Sequence, residues 1–383
     1  MRFMKIVAGL LMSVTCLAAL ASCDTPPPAP PSTPAQEVAR VPIPGGSSTG
    51  MPGVMSISPD GTRVAMRARI SSGGGNAANA QSAQSAAVET VAIYNTATKQ
   101  FEQPTLPTAP NQQLVAVHFS PDGRFQLGVF LGSRPYRELR VFRMQDTGEM
   151  FTAQTDMHGL APITFSPDGK WLLHPAPPDE TGRFALHVIS VVSGAPRATL
   201  PVDVRAIARG AFRNVGFTPD GNFVYAHQVD HLLVWNATSG KLMIEWQWIG
   251  YGDMTTMGAT PDSSMIRALM QDGSIATIDL PAANNVRTER LDLPAVSPNH
   301  PRHVPFDLPW SFSRAAFAAD GTSVLRDAGG RIDVFDLASG RFSRTIALPP
   351  DAAQVNFNAR HGGFVPVWVR SAGGDVISII RMP

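Results

Sequence analysis

The chain has 383 residues, with 34 Pro, 33 Gly, only 16% charged residues and a formal charge of +1. Hydrophobic residues make up 44%, enough for a large core, so wholesale disorder is excluded, while the Pro and Gly load leaves little room for long helices. The near-zero charge gives no support to a nucleic-acid or anionic-membrane surface built on bulk electrostatics.

At the amino end Arg2 and Lys5 precede an almost wholly apolar run over residues 6–20, closed by the small residues Ala21 and Ser22 before Cys23. That order is the signature of a secretory signal peptide, and as a helix the run rises only ~22 Å, short of the ~30 Å hydrocarbon core. Leu20-Ala21-Ser22-Cys23 resembles a bacterial lipobox. The resemblance implies cleavage after residue 22, acylation of Cys23 with palmitate-type chains, and a lipid-anchored protein on the periplasmic side of a bacterial membrane. Asp24 resembles the inner-membrane retention signal of enteric bacteria, with the outer membrane as the alternative. Cys16 leaves with the signal and Cys23 is consumed by lipid, so no free thiol or disulfide is expected. Loss of Arg2 and Lys5 leaves 29 basic against 30 acidic residues, a formal charge of −1. Residues 25–36 read TPPPAPPSTPAQ, a composition biased to polyproline II. The expected organisation is therefore a signal peptide over 1–22, a lipidated Pro-rich tether over 23–36 reaching up to roughly 37 Å, and one folded domain over 37–383.

That domain carries a repeated punctuation mark: Ser58-Pro-Asp-Gly61, Ser120-Pro-Asp-Gly123, Ser166-Pro-Asp-Gly169, Thr218-Pro-Asp-Gly221, Thr260-Pro-Asp-Ser263 and a worn Ala318-Ala-Asp-Gly321. The starts differ by 62, 46, 52, 42 and 58 residues, as expected for a fixed set of strands with variable loops. Pro presets φ for a tight turn, Asp bonds back to following amides, and Gly supplies a positive φ. Strand patterns flank each turn, and a third strand follows with its own turn, as in Leu233-Val-Trp-Asn-Ala-Thr-Ser-Gly240 and Ile332-Asp-Val-Phe-Asp-Leu-Ala-Ser-Gly340. A fourth strand completes each unit.

These units resemble the WD-repeat and YVTN-type β-propellers of bacterial envelope proteins, with Trp235 and Phe335 where the family's Trp stands. The usual opening Gly-His pair is missing; His158-Gly159 has the reverse order. The expected fold is an all-β, seven-bladed β-propeller with four-stranded antiparallel blades. A seventh unit near residues 354–381 lacks a fourth strand, and the strand-like segment beginning at Glu37 is expected to supply it, closing the ring and removing an open edge. The low-complexity run over 71–87 is expected as a loop between the second and third strands of blade one.

In such a ring the S/T-P-D-G turns share one face with the turns between strands three and four, and the longer, varied loops form the opposite, candidate binding face. The loop between blades five and six gathers His300, Arg302, His303, Asp307 and Trp310. His300 and His303 form a His-x-x-His pair, but Pro at 294, 298, 301, 305 and 309 denies the helix that sets both rings on one side, so a protein-contact loop is favoured over a metal site. Between blades four and five, Trp246 and Trp248 share one side of a strand and read as core, whereas Tyr251 and Asp253 are surface candidates. His227, Asp230 and His231 form a candidate polar rim in blade four, and Arg134, Tyr136 and Arg137 a basic and aromatic sector in blade two. No Gly-x-Ser-x-Gly elbow, His-Glu-x-x-His helix, phosphate loop or calcium loop appears. The sequence therefore favours a non-enzymatic scaffold that binds envelope proteins, without cofactor, metal or nucleic acid, and the fold-level resemblance extends to propeller lipoproteins of outer-membrane assembly. The competing reading is a lactonase-like enzyme or small-molecule binder with a site in the central channel.

Overall fold

Five copies of one hydrogen-bonded turn set the architecture. In blade two the Ser120 hydroxyl donates to Asp122 Oδ1 at 2.6 Å and accepts from the Phe125 amide at 2.9 Å, while Asp122 Oδ1 also accepts the Arg124 amide at 3.0 Å. The Gly123 amide closes the turn on the Ser120 carbonyl at 3.0 Å. The same bonds recur around Ser58 and Asp60, Ser166 and Asp168, Thr218 and Asp220, and Thr260 and Asp262. Gly61, Gly123, Gly169 and Gly221 all sit at positive φ, and Ser263 takes the same conformation at 59°. In the sixth turn the backbone bonds of Ala318 and Gly321 recur, and Ala318 has no hydroxyl to take the place of the Ser or Thr.

The computed structural model describes residues 32–43, 54–70, 88–102, 106, 111–131, 136–155, 163–202, 212, 214–228, 231–247, 254–270, 274–280, 286–290, 315–318, 321–357, 363–370 and 375–382. Their strands form seven sheets. Blade one comprises Val54–Ile57, Arg63–Ile70, Val88–Asn95 and Gln100–Glu102, so the 71–87 run does fall between its second and third strands. Blade two comprises Gln113–Phe119, Phe125–Leu131, Arg137–Arg143 and Glu149–Thr155; blade three Thr164–Phe165, Trp171–Pro175, Ala185–Ser190 and Pro196–Pro201. Blade four comprises Asn214–Phe217, Phe223–Gln228, His231–Asn236 and Leu242–Gln247; blade five Met254–Ala259, Met265–Met270, Ser274–Asp279 and Val286–Arg290. Blade six comprises Ala315–Phe317, Ser323–Asp327, Arg331–Asp336 and Arg341–Ala347. Blade seven takes Ala352–Val355, Phe364–Val369 and Val376–Arg381 from the carboxyl end and Gln36–Pro42 from the amino end, the last antiparallel with Gln36 opposite Arg381 and Pro42 opposite Val376.

One element departs from the expected tether. Ser32–Pro34 pairs in parallel with the outer strand of blade six, Ser32 opposite Thr345 and Pro34 opposite Ala347. The Ala35 amide continues this pairing to the Ala347 carbonyl at 3.0 Å. Pro lacks a ladder donor but is tolerated on an edge strand, which is where Pro34 lies. Among the described residues, strand pairing accordingly begins at Ser32.

The core is divided among the seven seams between blades. Leu173, Leu186 and Val188 of blade three pack with Val224, Ala226 and Trp235 of blade four, whereas Tyr225, facing the other way, packs in the seam with blade five. The ring closes on Val41, Ile377 and Ile379 of blade seven against Ile57, Val64 and Met66 of blade one. Inner strands are thus buried on both faces, so Phe125–Leu131 reads as a nearly continuous apolar run rather than an alternation. Trp235, fully buried, donates to the Pro201 carbonyl at 3.3 Å across one seam.

Turns also touch from blade to blade. A Cβ on Gly169 would lie 2.4 Å from Asp122 Oδ2, and one on Gly321 would lie 2.5 Å from Pro261 Cδ. The Asp220 amide donates to Ser263 Oγ of the next blade at 3.0 Å. In Asp122, partial burial acts to raise the carboxyl pKa but is outweighed by the bonds from Ser120 and Arg124, leaving it below the ordinary carboxylate range. Such carboxylates stabilise the fold at neutral pH, a contribution lost as the pH falls through their depressed range.

Ser120→Ala should strand the buried Phe125 amide and lower the unfolding free energy by about 1–3 kcal/mol, read from the urea midpoint. Gly221 and Gly169 share a left-handed φ, at 70° and 69°, but nothing lies within 4 Å of a Cβ on Gly221. Gly221→Ala should therefore cost roughly 1–2 kcal/mol, and Gly169→Ala a further ~1–3 kcal/mol for crowding Asp122. Equal costs for the two would deny the turn-to-turn contact a role.

Candidate binding face

The two ends of the ring differ in kind. Antiparallel pairing puts the conserved-geometry turns between strands one and two on one end, with the turns between strands three and four, where Asn95, Asn236 and Asp336 accept amides two or three residues on. The opposite end receives the connections between blades and the loops between strands two and three, which vary in length from residues 229–230 in blade four to residues 71–87 in blade one. Tyr136, just before the third strand of blade two, and His231, the first residue of the third strand of blade four, lie at this end and are half-buried. Arg137 starts the third strand of blade two. His227 is at the same end but 1% exposed, so it is a core residue there and not a rim residue as the sequence suggested. Trp246 packs in the seam between blades four and five, as expected of a core residue. Cys23, Arg134, Asp230, Trp248, Tyr251, Asp253, His300, Arg302, His303, Asp307 and Trp310 lie outside the described residues.

Three groupings at this end were not singled out by sequence reasoning. In blade two, Arg140 bonds Glu138 and reaches Gln112 Oε1 at 2.6 Å, while Gln112 donates to Glu138 Oε2 at 3.1 Å. The Arg140 guanidinium lies 4.9 Å over the Phe130 ring, so both its charge and its plane are held. In blade six, Asp333, 1% exposed, is bridged by Arg326 at 3.1 Å and Arg331 at 3.0 Å.

The third grouping is the loop over residues 176–184 of blade three. Asp179 Oδ1 accepts the Thr181 amide at 2.9 Å, the Thr181 hydroxyl at 2.7 Å and the Arg183 amide at 2.9 Å. The Gly182 amide reaches the Asp179 carbonyl at 2.8 Å, with Gly182 at φ 75°. Bonds from Thr181 and then Arg183 hold the Asp179 carboxyl below its ordinary pKa. The loop is therefore ordered before it meets anything, with Asp179, Glu180, Thr181 and Arg183 exposed. The signal was present as Pro177-Pro178-Asp179-Glu180-Thr181-Gly182, a turn composition that the S/T-P-D-G search passes over.

Behind that loop His174 and His187 face each other across strands two and three of blade three, ring centres 5.7 Å apart with planes at 84°. His174 is 3% exposed, and its Nδ1 lies 3.2 Å from the Pro175 carbonyl, which also accepts the Thr155 hydroxyl of blade two at 2.7 Å. Burial first, and then His187, pushes the His174 imidazole down to about 4, against the opposing pull of the Pro175 carbonyl. Burial also lowers His187.

Against known proteins the likeness is structural. A chain in the crystal structure of the mitotic checkpoint complex superposes with a TM-score of 0.55 at 11% identity, over 92% of this chain and 97% of that one. The β-propeller domain of Myceliophthora thermophila Cps50 (Swd1) superposes with a TM-score of 0.53 at 14% identity, over 91% of this chain and 100% of that one. The fold is a seven-bladed β-propeller. No protein-family model and no curated protein matches the chain in sequence. At this identity the likeness carries the propeller architecture alone.

The histidine pair sets a pH window of its own. His174 has a folded pKa of about 4 against an ordinary 6.5, so the folded state binds fewer protons and its stability falls as the pH drops below ~6.5. The loss between pH 6.5 and 4 should be on the order of 3 kcal/mol. Urea unfolding at pH 7.5 and 5 should show it, and His174→Gln should flatten the slope; an unchanged slope would remove His174 as the cause.

Proposed function

We propose that this protein is a lipid-anchored scaffold on the periplasmic side of a bacterial membrane, binding envelope protein partners with the end of the ring that carries the varied loops. The observation that carries this reading is the contrast between the ends. One repeats a single turn chemistry in five blades, whereas the other, which also carries Tyr136 and His231, presents a pre-ordered, exposed loop at Asp179–Arg183. Pre-ordering lowers the entropic cost of binding, which suits a recognition surface. That one structural relative lies within a multi-protein complex agrees with this reading. The candidate residues Arg134, Asp230, Tyr251, Asp253, His300, Arg302, His303, Asp307 and Trp310 belong to loops of the same end in this proposal.

The anchor in this proposal is acylated Cys23. With Ser32 already paired to blade six, the free spacer is eight residues, 24–31, and reaches ~25 Å when extended instead of the ~37 Å of a longer stalk. The ring is then held close to the bilayer, within reach of partners at the membrane surface.

Photo-crosslinkers installed at Glu180 and Tyr136 in the native envelope should yield discrete protein adducts, and one at Arg124 on the turn end should not. Adducts confined to Arg124, or none at all, would defeat the scaffold reading. Cys23→Ala should abolish labelling by a palmitate analogue and release the protein from the membrane fraction.

A further inference from the structure

Blade three holds a pair of imidazoles for which the scaffold reading has no use. His174 and His187 are direct cross-strand partners. Side chains alternate along a strand, so His174 shares a face with Leu172, and His187 with Ile189, both of which pack in the seam with blade two. The two rings therefore stand side by side on one face of the sheet.

The chemistry of His174 is set by its contact with the Pro175 carbonyl. A carbonyl oxygen only accepts, so the 3.2 Å approach of Nδ1 to the Pro175 carbonyl places the ring hydrogen on Nδ1. Neutral His174 then carries its lone pair on Nε2, in a residue that is 3% exposed. The Thr155 hydroxyl, at 2.7 Å from the same carbonyl, steadies that oxygen from the neighbouring blade. An imidazole whose Nδ1 hydrogen is held by a backbone carbonyl is oriented as metal-binding histidines usually are.

We propose that His174 and His187 bind one divalent transition-metal ion of the Zn2+ or Cu2+ class, through Nε2 of His174 and a ring nitrogen of His187, with water completing the coordination on the half-buried His187 side. Nitrogens at ~2.0–2.1 Å from a tetrahedral ion hold two imidazole centres roughly 5–6 Å apart. The observed ring-centre separation of 5.7 Å, with planes at 84°, falls within that range, and a ring rotation at half-buried His187 brings its nitrogen to the ion. Imidazole donors suit zinc and copper and not calcium or magnesium. With two protein ligands instead of the four of a structural zinc centre, the ion is exchangeable, and the fold does not depend on it. The site uses neither His300 nor His303, and it stands or falls independently of the scaffold reading.

The test uses the full-length protein in detergent, stripped with a chelator and titrated with Zn2+ by calorimetry. One equivalent should bind, and His187→Gln should weaken it tenfold or more. The His300→Ala, His303→Ala double variant should keep that equivalent. Cu2+ bound to the native protein should show two nitrogen ligands by electron paramagnetic resonance. Because His187 is half-buried, His187→Gln should melt in chelator like the native protein, which separates lost binding from lost folding. His174→Gln serves as the second variant. Absence of binding at millimolar Zn2+, binding unchanged in both His174→Gln and His187→Gln, or binding lost only with His300 and His303 would overturn the proposal.

Discussion

A buried hydroxyl shared between a carboxylate and an amide is the interaction on which the ring depends. At each complete turn the Ser or Thr oxygen donates to Asp and accepts the first amide of the second strand, so it fixes both the reversal and the register of the strand that follows. These hydroxyls are almost entirely buried, Ser120, Ser166 and Thr218 completely so, and leaving either partner unmet is expensive. Register matters because inner strands pack on both faces; a slip of one residue would exchange the side chains of two seams at once. The turn therefore controls the core although it lies at the edge of it.

The worn turn of blade six shows how the ring tolerates a weak unit. Ala318 cannot make the side-chain bonds. Blade six instead gains ties elsewhere: Asp333 bridges Arg326 and Arg331 across adjacent strands, Asp327 accepts the Val355 amide of blade seven at 3.3 Å, and Ser32–Pro34 covers its outer strand. Local turn chemistry is thus exchanged for contacts that reach across blades. Both oxygens of the buried Asp333 carboxylate are met by guanidinium groups, and the Arg331 side chain is half exposed, which limits the desolvation cost of the cluster.

Most of the fold was legible because its instructions are local and repeated. Pro, Asp and Gly at fixed offsets announce a turn wherever they stand, and six copies identify the blade. The closing strand was legible from its likeness to the outer strand of blade six. Ser32–Pro34 was not, since a Pro-rich segment reads as polyproline and its pairing depends on a parallel edge hundreds of residues away. The role of the turn hydroxyl was hidden because Ser and Thr are ordinary turn residues until their burial is known. The binding face was less legible still. Loops carry no repeat, and His227, which reads as polar and therefore superficial, is buried by its seam. The His174 and His187 pair appears only when the strands are set in register, thirteen positions apart in sequence.

The amino-terminal strap also has a mechanical meaning. A load entering at residue 32 first meets three paired positions on blade six, then the longer pairing of Gln36–Pro42 on blade seven, whose Val41 is fully buried in the seam with blade one. The short outer pairing yields first and can re-form without breaching the core. It acts as a fuse in series with the clasp, so that tugging on the amino end is absorbed at the rim before it threatens the closure of the ring.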